Sequence, residues 1–155
     1  MEKIFIDANP FIYLLSDVKK KSDTVEQILE NNEDEFYTSY AVLNEVKFKL
    51  LINKAIEDYK TNKKYELIKI VNTNSELRAS VIKRYLKFFL SISQLVKILD
   101  LDAITEKLTC SLIIEYGLLP TDASIVAGML KSDIKKILTD DSDFKKVDAI
   151  EVLEI

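Results

Sequence analysis

The sequence contains no histidine, the side chain on which most zinc sites and most acid–base relays depend. Serine–histidine–aspartate and cysteine–histidine nucleophiles are therefore excluded. The single cysteine, Cys110, cannot form a disulfide within the chain, which is typical of a protein from a reducing compartment. We interpret Cys110 as a small buried apolar residue rather than a reactive thiol. Any hydrolytic chemistry in this chain must then depend on carboxylates.

Glycine and proline are also scarce, with two of each among 155 residues. Because these residues interrupt regular structure, the sequence predicts one helix-rich domain over residues 1–155 with few irregular loops. No apolar run approaches the roughly 18 residues of a membrane span, and the first predicted strand begins too early to leave space for a signal peptide. We therefore predict a soluble cytoplasmic protein that has no membrane partner.

The formal net charge is −4, so the molecule as a whole has no broad attraction for nucleic acid. A cluster of acids that binds cations would account for this sign. Lysines follow Glu45 at Lys47, Lys49 and Lys54, and exposed lysines on helices are mostly solvated surface. The functional alternative is a rim of positive charge that positions phosphates around an acidic centre.

Short apolar segments alternate with longer helical patterns along the chain. The predicted strands are residues 4–6, 36–39, 96–101, 136–139 and 149–153. The predicted helices are residues 10–15, 22–30, 40–54, 102–116 and 120–130. Two more helices are predicted within residues 59–94, with a break between them at 72–75. Residues 19–21 are predicted to be a basic connector. Strands that alternate with helices predict an α/β fold with a parallel sheet of about five strands.

Asp122 lies on the apolar stripe of its predicted helix, together with Ile125, Val126, Met129 and Leu130. A carboxylate on a core-facing stripe is costly unless it is paired or bound to a metal ion. The alternative is an ordinary acid in the first helical turn, which the free backbone amides and the helix dipole stabilise.

Glu45 repeats this pattern on the helix after the second strand, on a stripe with Ala41, Phe48 and Ile52. Its longer side chain can extend to water, so the alternative is a surface glutamate whose stem packs on apolar neighbours. Acids also follow the fourth strand directly, at Asp140, Asp141 and Asp143. Three acids in four positions are more than a solvated turn requires.

The predicted topology brings four of these acids together. Asp7 ends the first strand and Asp141 follows the fourth, while Glu45 and Asp122 lie early in helices. The carboxyl ends of parallel strands and the starts of the next helices share one edge of the sheet. Four converging carboxylates repel one another unless divalent cations lie between them, and oxygen ligands favour Mg²⁺ or Mn²⁺. Such a site suits the hydrolysis of phosphodiester bonds.

These elements resemble the PIN-domain nucleases, particularly small toxins of the VapC type, over nearly the whole chain. The motifs are Phe-Ile-Asp-Ala-Asn at 5–9, Glu45, Leu-Pro-Thr-Asp-Ala-Ser at 119–124 and Leu-Thr-Asp-Asp-Ser-Asp-Phe at 138–144. The resemblance implies a three-layer α/β/α fold and an endoribonuclease that depends on Mg²⁺ or Mn²⁺. It implies that the catalytic, metal-binding residues are Asp7, Glu45, Asp122 and Asp141.

The same resemblance assigns Asp143 as an accessory acid that binds metal in some members, and Asn9 and Thr139 as supports that hydrogen-bond to the acids. It implies three partners: an RNA substrate, an antitoxin that inserts a basic side chain among the carboxylates, and a second copy in a homodimer. The region 59–94 is long for a minimal toxin, so we interpret it as a helical insertion, one reading of which is a clip over the site.

Two other classes of function are less favoured. A catalytically silent PIN-like module that binds RNA or protein has no reason to tolerate clustered acids that repel one another. A phosphatase of the haloacid dehalogenase type requires a second aspartate two residues after Asp7, where this chain has Asn9. A phospho-receiver requires an acidic pair that we do not find.

Overall fold

The computed structural model describes residues 1–16, 18–31 and 33–155. Its strands are β1 (Lys3–Ile6), β2 (Glu35–Ser39), β3 (Val96–Leu99), β4 (Lys136–Leu138) and β5 (Glu151–Leu153). Its helices are α1 (Ala8–Leu15), α2 (Lys19–Leu29), α3 (Tyr40–Tyr59), α4 (Lys64–Thr73), α5 (Ser75–Ile92), α6 (Ala103–Tyr116) and α7 (Pro120–Lys131), and a short 3-10 helix covers Ser142–Lys146.

The strands form one sheet in the order β3-β2-β1-β4-β5, and every neighbouring pair is parallel. The first strand lies at the centre, where Phe5 and Ile6 are both fully buried. Helices flank this sheet in a three-layer α/β/α arrangement, which explains why β1 is a continuous apolar run instead of an alternating one. The predicted α/β fold with a parallel sheet of five strands is confirmed.

Local chemistry explains several helix boundaries. Gly117 ends α6 in the left-handed conformation with φ of 65°, which glycine adopts without steric cost. Pro120 opens α7, where its missing amide proton is not needed. The Oδ1 atom of Asn74 accepts a 2.9 Å hydrogen bond from the Leu77 amide and caps α5, so the break predicted at 72–75 is confirmed.

Other predicted boundaries are wrong. Helix α2 begins at Lys19, so residues 19–21 form its first turn rather than a connector, in keeping with the good helix propensity of lysine. Helix α3 continues past the predicted end at Lys54 because Ala55 keeps its buried face continuous. β3 ends at Leu99, and β4 ends one residue before Thr139.

Both helices of the 59–94 region pack on the core, α4 through the buried side chain of Leu67 and α5 along its length. Tyr85 on α5 is buried in the core. The ring of Phe88 meets that of Phe11 edge to face, with 5.5 Å between centroids. The guanidinium of Arg84 donates to the backbone carbonyl of Leu15, which ties α5 to the end of α1.

The outer face of α6 corrects the interpretation of Cys110, which is exposed to solvent. The buried residues of this helix are Thr105, Thr109 and Leu112, and Cys110 lies on another face. Ile114 on α6 is 87% exposed, so residue type did not predict burial along this helix.

No single helix in the described ranges is long and apolar enough to cross a membrane, and α6 and α7 meet that test only as a pair bent by 119°.

Candidate active site

Asp7 lies where β1 meets α1 and is only 6% exposed. Its backbone amide donates to the carbonyl of Leu138 at 3.2 Å. The hydroxyl of Thr139 donates to Oδ2 of Asp7 at 2.6 Å and accepts from the amide of Asp141 at 3.0 Å. Because the hydroxyl oxygen accepts from that amide, its proton is free to point at Asp7. One buried hydroxyl thereby fixes the ends of two neighbouring strands.

The pKa of the Asp7 carboxyl is raised, chiefly because burial disfavours its charged form. The hydroxyl of Thr139 and the amide of Ala8 oppose this effect by hydrogen bonding. The charge of Glu45 raises the pKa further, while the ammonium of Lys49 lowers it. Asp7 therefore lies within the electric field of a second acid and of one base.

Asp122 lies in the first turn of α7, and its stripe is buried at Ile125, Val126 and Met129, as the sequence predicted. The N-cap of α7 is Leu119, whose side chain cannot accept a capping bond. Burial is the largest cause that raises the pKa of Asp122 to about 6. Its position in the first turn also fits the alternative of an acid that the helix dipole stabilises.

Four neighbouring carboxylates raise the pKa of Asp122 further, in the order Asp141, Asp7, Glu45 and Asp143. Among the described residues, Asp122, Asp141 and Asp143 each offer one carboxylate oxygen, and these oxygens lie within 4.8 Å of one another. The structure therefore brings the predicted acids to one edge of the sheet. We call Asp7, Glu45, Asp122, Asp141 and Asp143 the acidic site.

The loop after β4 places two members of the acidic site. Asp141 caps the 3-10 helix, because its Oδ1 accepts a hydrogen bond of 2.9 Å from the amide of Asp143. The adjacent Phe144 is buried and anchors this turn in the core. Asp143, which the resemblance gave as an accessory acid, has a carboxylate oxygen within 4.8 Å of oxygens of both Asp122 and Asp141.

Glu45 reaches the acidic site from a different face of α3 than the sequence predicted. The buried face of α3 is formed by Val42, Leu43, Val46 and Leu50. Phe48, which was expected to share the core stripe of Glu45, is 53% exposed. The predicted stripe is therefore wrong, although the position of Glu45 near Asp7 and Asp122 agrees with the topology. Its Oε1 pairs with the ammonium of Lys49 at 2.7 Å.

The two predicted supports differ. Thr139 is fully buried and hydrogen-bonds to Asp7. Asn9 is partly buried, and its side chain forms no hydrogen bond with any residue that the structure describes.

Asp140 belongs to a network that the sequence analysis missed. The Tyr13 hydroxyl donates to Asp140 at 2.7 Å, the Lys21 ammonium pairs with the same oxygen, and the Ile155 amide donates to the other at 3.2 Å. Burial raises the pKa of Asp140, but the bonds from Lys21 and Tyr13 outweigh it and leave the pKa lowered. Tyr13 and Lys21 are 127 and 119 positions away from Asp140, so local spacing gave no indication of them.

The donor set of the acidic site suits a hard divalent cation. All of its side-chain donors are carboxylate oxygens, which Mg²⁺ and Mn²⁺ prefer over nitrogen or sulfur. Burial and the neighbouring carboxylates both disfavour the charged form of Asp122, and a cation among these acids would favour it. The residues therefore fit the ion that the resemblance implies.

Comparison with known proteins identifies the family. The family model for the PIN domain matches residues 4–93 and 83–150. The chain is 31% identical to Ribonuclease VapC2 of Methanocaldococcus jannaschii over 99% of this chain and 94% of that one. It is 30% identical to Ribonuclease VapC6 of the same organism over 97% and 96%.

A solved structure shares the fold at low sequence identity. The structure described as a toxin-antitoxin complex from Klebsiella pneumoniae has a chain that aligns with a TM-score of 0.61. The alignment covers 98% of this chain and 99% of that chain at 16% identity. The order of strands, the acidic site at their carboxyl ends and the sequence matches agree. The chain belongs to the PIN-domain family.

Proposed function

We propose that this protein is a metal-dependent endoribonuclease that hydrolyses phosphodiester bonds of RNA at the acidic site. The observation that carries this proposal is the convergence of acids at one edge of the sheet, where carboxylate oxygens of Asp122, Asp141 and Asp143 lie within 4.8 Å of one another. Burial and the neighbouring carboxylates also raise the pKa of Asp122. Perturbed acids gathered at one place are typical of sites that do chemistry. Two full-length relatives that bear the name ribonuclease support RNA as the substrate.

Asp7, Asp122, Asp141 and Asp143 are the residues that we assign to hold Mg²⁺ or Mn²⁺, with Glu45 at the margin of the same group. Such an ion, when bound, lowers the pKa of a water molecule and binds the oxygens of the scissile phosphate. The protein's own residues contribute the orientation of the acids. Thr139 holds the carboxylate of Asp7, and the amide of Asp143 holds that of Asp141, so two acids are oriented before any ligand binds.

A protein partner follows from the same proposal. Relatives of this fold occur in toxin-antitoxin complexes, such as the one from Klebsiella pneumoniae. A groove of about 670 Å³ between α1, α2 and α5 is lined by Leu14, Leu29, Phe88 and Ile92, with Glu26 and Glu30 at its edge. We expect an antitoxin helix with an apolar face to occupy this groove, with basic residues opposite the two glutamates.

Co-purification with the product of a neighbouring gene would test that partner. A double variant, Glu26→Lys with Glu30→Lys, should weaken the complex because it reverses the charge at the edge of the groove. Unchanged affinity would assign the partner to another surface. Three further properties stay predictions: homodimer formation, the toxin role and the cytoplasmic location. Light scattering at several concentrations would test homodimer formation.

The experiment that tests the function is cleavage of a mixed RNA pool by the purified protein with Mn²⁺, Mg²⁺ or EDTA. We expect cutting that requires metal and disappears in Asp7→Asn. Asp133→Asn is the matched control, because Asp133 is an exposed acid at the opposite end of the sheet. Thermal unfolding in EDTA should show that both variants fold.

Three outcomes have distinct meanings. Loss of cutting in Asp7→Asn alone supports the proposal. Equal cutting by Asp7→Asn would assign the activity to a contaminant or to another site. Absence of both cutting and metal binding by calorimetry would favour the catalytically silent module.

A further inference from the structure

Two lysines are paired with carboxylates of the acidic site itself. The ammonium of Lys49 lies 2.7 Å from Glu45, and that of Lys146 lies 2.7 Å from Asp143. Among the ion pairs between described residues, these are the two that involve the acidic site. The other pairs use acids outside it, as Lys54 does with Asp58 at 2.8 Å.

The two lysines approach the acidic site from the two sides of the central strand. Lys49 belongs to α3, which follows β2, and Lys146 ends the 3-10 helix that follows β4. Because β2 and β4 are the two neighbours of β1 in the sheet, these elements flank the end of β1 where Asp7 lies. The ammonium of Lys49 is close enough to lower the pKa of Asp7 by its charge.

Both ammonium groups also remain accessible. The side chains of Lys49 and Lys146 are 40% and 49% exposed. An ammonium has three donors and no acceptor, so a lysine that pairs with one carboxylate can donate to a phosphate at the same time. The pairs with Glu45 and Asp143 then hold each ammonium at the margin of the site instead of letting it extend into solvent.

Substrate charge makes such cations necessary. An RNA backbone that approaches five carboxylates is repelled, and divalent ions at the centre offset this repulsion only for the phosphate that they bind. The neighbouring phosphates would still meet the negative charge of Glu45 on the side of α3 and that of Asp143 on the side of the 3-10 helix. A positive charge beside each of these two acids offsets that repulsion where the chain must enter and leave.

We propose that Lys49 and Lys146 bind the RNA phosphates on either side of the scissile one and lay the backbone across the acidic site. This inference rests on the proposed ribonuclease function and adds the path of the substrate to it. Ordinary exposed pairs three or four residues apart on a helix contribute little to stability and are common. What distinguishes these two pairs is that their acids belong to the acidic site.

The test is binding of a fluorescein-labelled single-stranded RNA, followed by anisotropy over a series of salt concentrations with Mn²⁺ present. The Asp7→Asn background keeps the RNA intact. Lys49→Gln and Lys146→Gln are compared with Lys63→Gln, which removes a pair of similar spacing with Glu66 of α4, and with Lys145→Gln, whose lysine adjoins Lys146 but pairs with Glu154.

We expect Lys49→Gln and Lys146→Gln each to weaken binding several-fold and to reduce the slope of log affinity against log salt by about 0.7, the value for one contact with a single strand. The two controls should keep the parent slope. In the active enzyme, each substitution should raise KM more than it lowers kcat, and Lys49→Arg and Lys146→Arg should restore KM.

Calorimetry with Mn²⁺ in the absence of RNA provides a second readout. Since each substitution removes a positive charge beside the acids, the affinity for Mn²⁺ should stay equal or rise. A lower affinity for Mn²⁺ would overturn the inference. It would indicate that the lysines orient the carboxylates of the acidic site instead of binding RNA. Equal loss of RNA binding in all four variants would overturn it as well.

Failure of this inference is distinguishable from failure of the proposed function. Binding of RNA that depends on Lys49 and Lys146, without cleavage by the parent protein, would refute the ribonuclease activity but support the proposed path of the RNA backbone. Metal-dependent cleavage, with KM and the salt dependence of RNA binding unchanged in both variants, would support the ribonuclease activity and refute the proposed path of the RNA backbone.

Discussion

The hydroxyl of Thr139 donates to the carboxylate of Asp7 across 132 positions of sequence, with 2.6 Å between Oγ1 and Oδ2. Both residues are buried, and they follow the adjacent strands β4 and β1. The same hydroxyl accepts from the amide of Asp141, so it positions two acids at once. The first prediction concerns this contact.

Replacement of Thr139 by Val keeps the shape of the side chain but removes the hydroxyl. The carboxylate of Asp7 and the amide of Asp141 would each lose a partner, and a buried polar group without its bond costs ~1–3 kcal/mol. We expect the free energy of unfolding in EDTA to fall by about that amount, as measured by urea denaturation. Thr139→Ser retains the hydroxyl and is the control. A Val variant as stable as the Ser variant would contradict the role of this bond.

The pKa of Asp122 predicts how stability depends on pH when divalent ions are removed. A carboxyl whose pKa is about 6 in the folded state binds more protons folded than unfolded between pH of about 4 and 6. Its contribution to stability is therefore fully present below about pH 4 and is lost as the pH rises through about 6. The raised pKa of Asp7 acts in the same direction.

Asp122→Asn should therefore stabilise the protein at pH 7 in EDTA. Because the side chain is only partly buried, we expect a gain on the order of 1 kcal/mol and a flatter profile between about pH 4 and 6. Adding Mn²⁺ at pH 7 should raise the Tm of the parent more than that of the variant. Thermal unfolding monitored by circular dichroism provides both measurements. A variant less stable than the parent in EDTA would contradict the assignment.

Asp140 gives a prediction about the loop that carries Asp141. Asp140→Asn weakens the bonds from Tyr13 and Lys21, and hydrogen bonds to a charged group contribute ~1.5–3 kcal/mol. We expect a loss of about 1–2 kcal/mol and a lower affinity for Mn²⁺, because the loop becomes less constrained. Asp148→Asn changes an exposed acid of the same region and should change neither. Calorimetry together with urea denaturation separates the two effects.

The two glycines predict opposite effects of alanine. At Gly128 an added Cβ would meet Cδ2 of Leu101 at 3.1 Å, and the end of that side chain can shift because Leu101 is 43% exposed. We expect Gly128→Ala to stabilise the protein by about 0.5 kcal/mol through helix propensity. Gly117→Ala should destabilise it by about 1 kcal/mol, because φ of 65° strains any side chain there. Tm shifts of the same sign in both variants would contradict this reasoning.

The sequence predicted the convergence of the acids because connectivity decides it. In a parallel sheet each strand ends at the same edge, so Asp7 and Asp141 must meet if the strands are assigned correctly. The burial of the apolar residues on the stripe of Asp122 was also predictable, although α7 is in fact buried on all sides from Ile125 to Met129. These features depend on the spacing of apolar residues and on the order of strands and helices along the chain, which can be read from the sequence alone.

The features that the sequence did not predict depend on tertiary contacts. Glu45 was assigned to the wrong stripe because apolar Phe48 is exposed on α3, and Cys110 is exposed on a helix with apolar residues on several faces. The bond from Tyr13 to Asp140 joins residues with no local pattern between them. Residue type indicates burial only on average, and long-range polar pairs leave no period in the sequence.

The position of β1 at the centre of the sheet affects when the acidic site can form during synthesis. Asp7 leaves the ribosome first, but its hydrogen-bonding partner Thr139 and the neighbouring Asp141 are near the other end of the chain. A nascent chain therefore contains an incomplete set of acids until most of it has been translated. The acidic site therefore forms only after β4 and the loop that follows it have been translated.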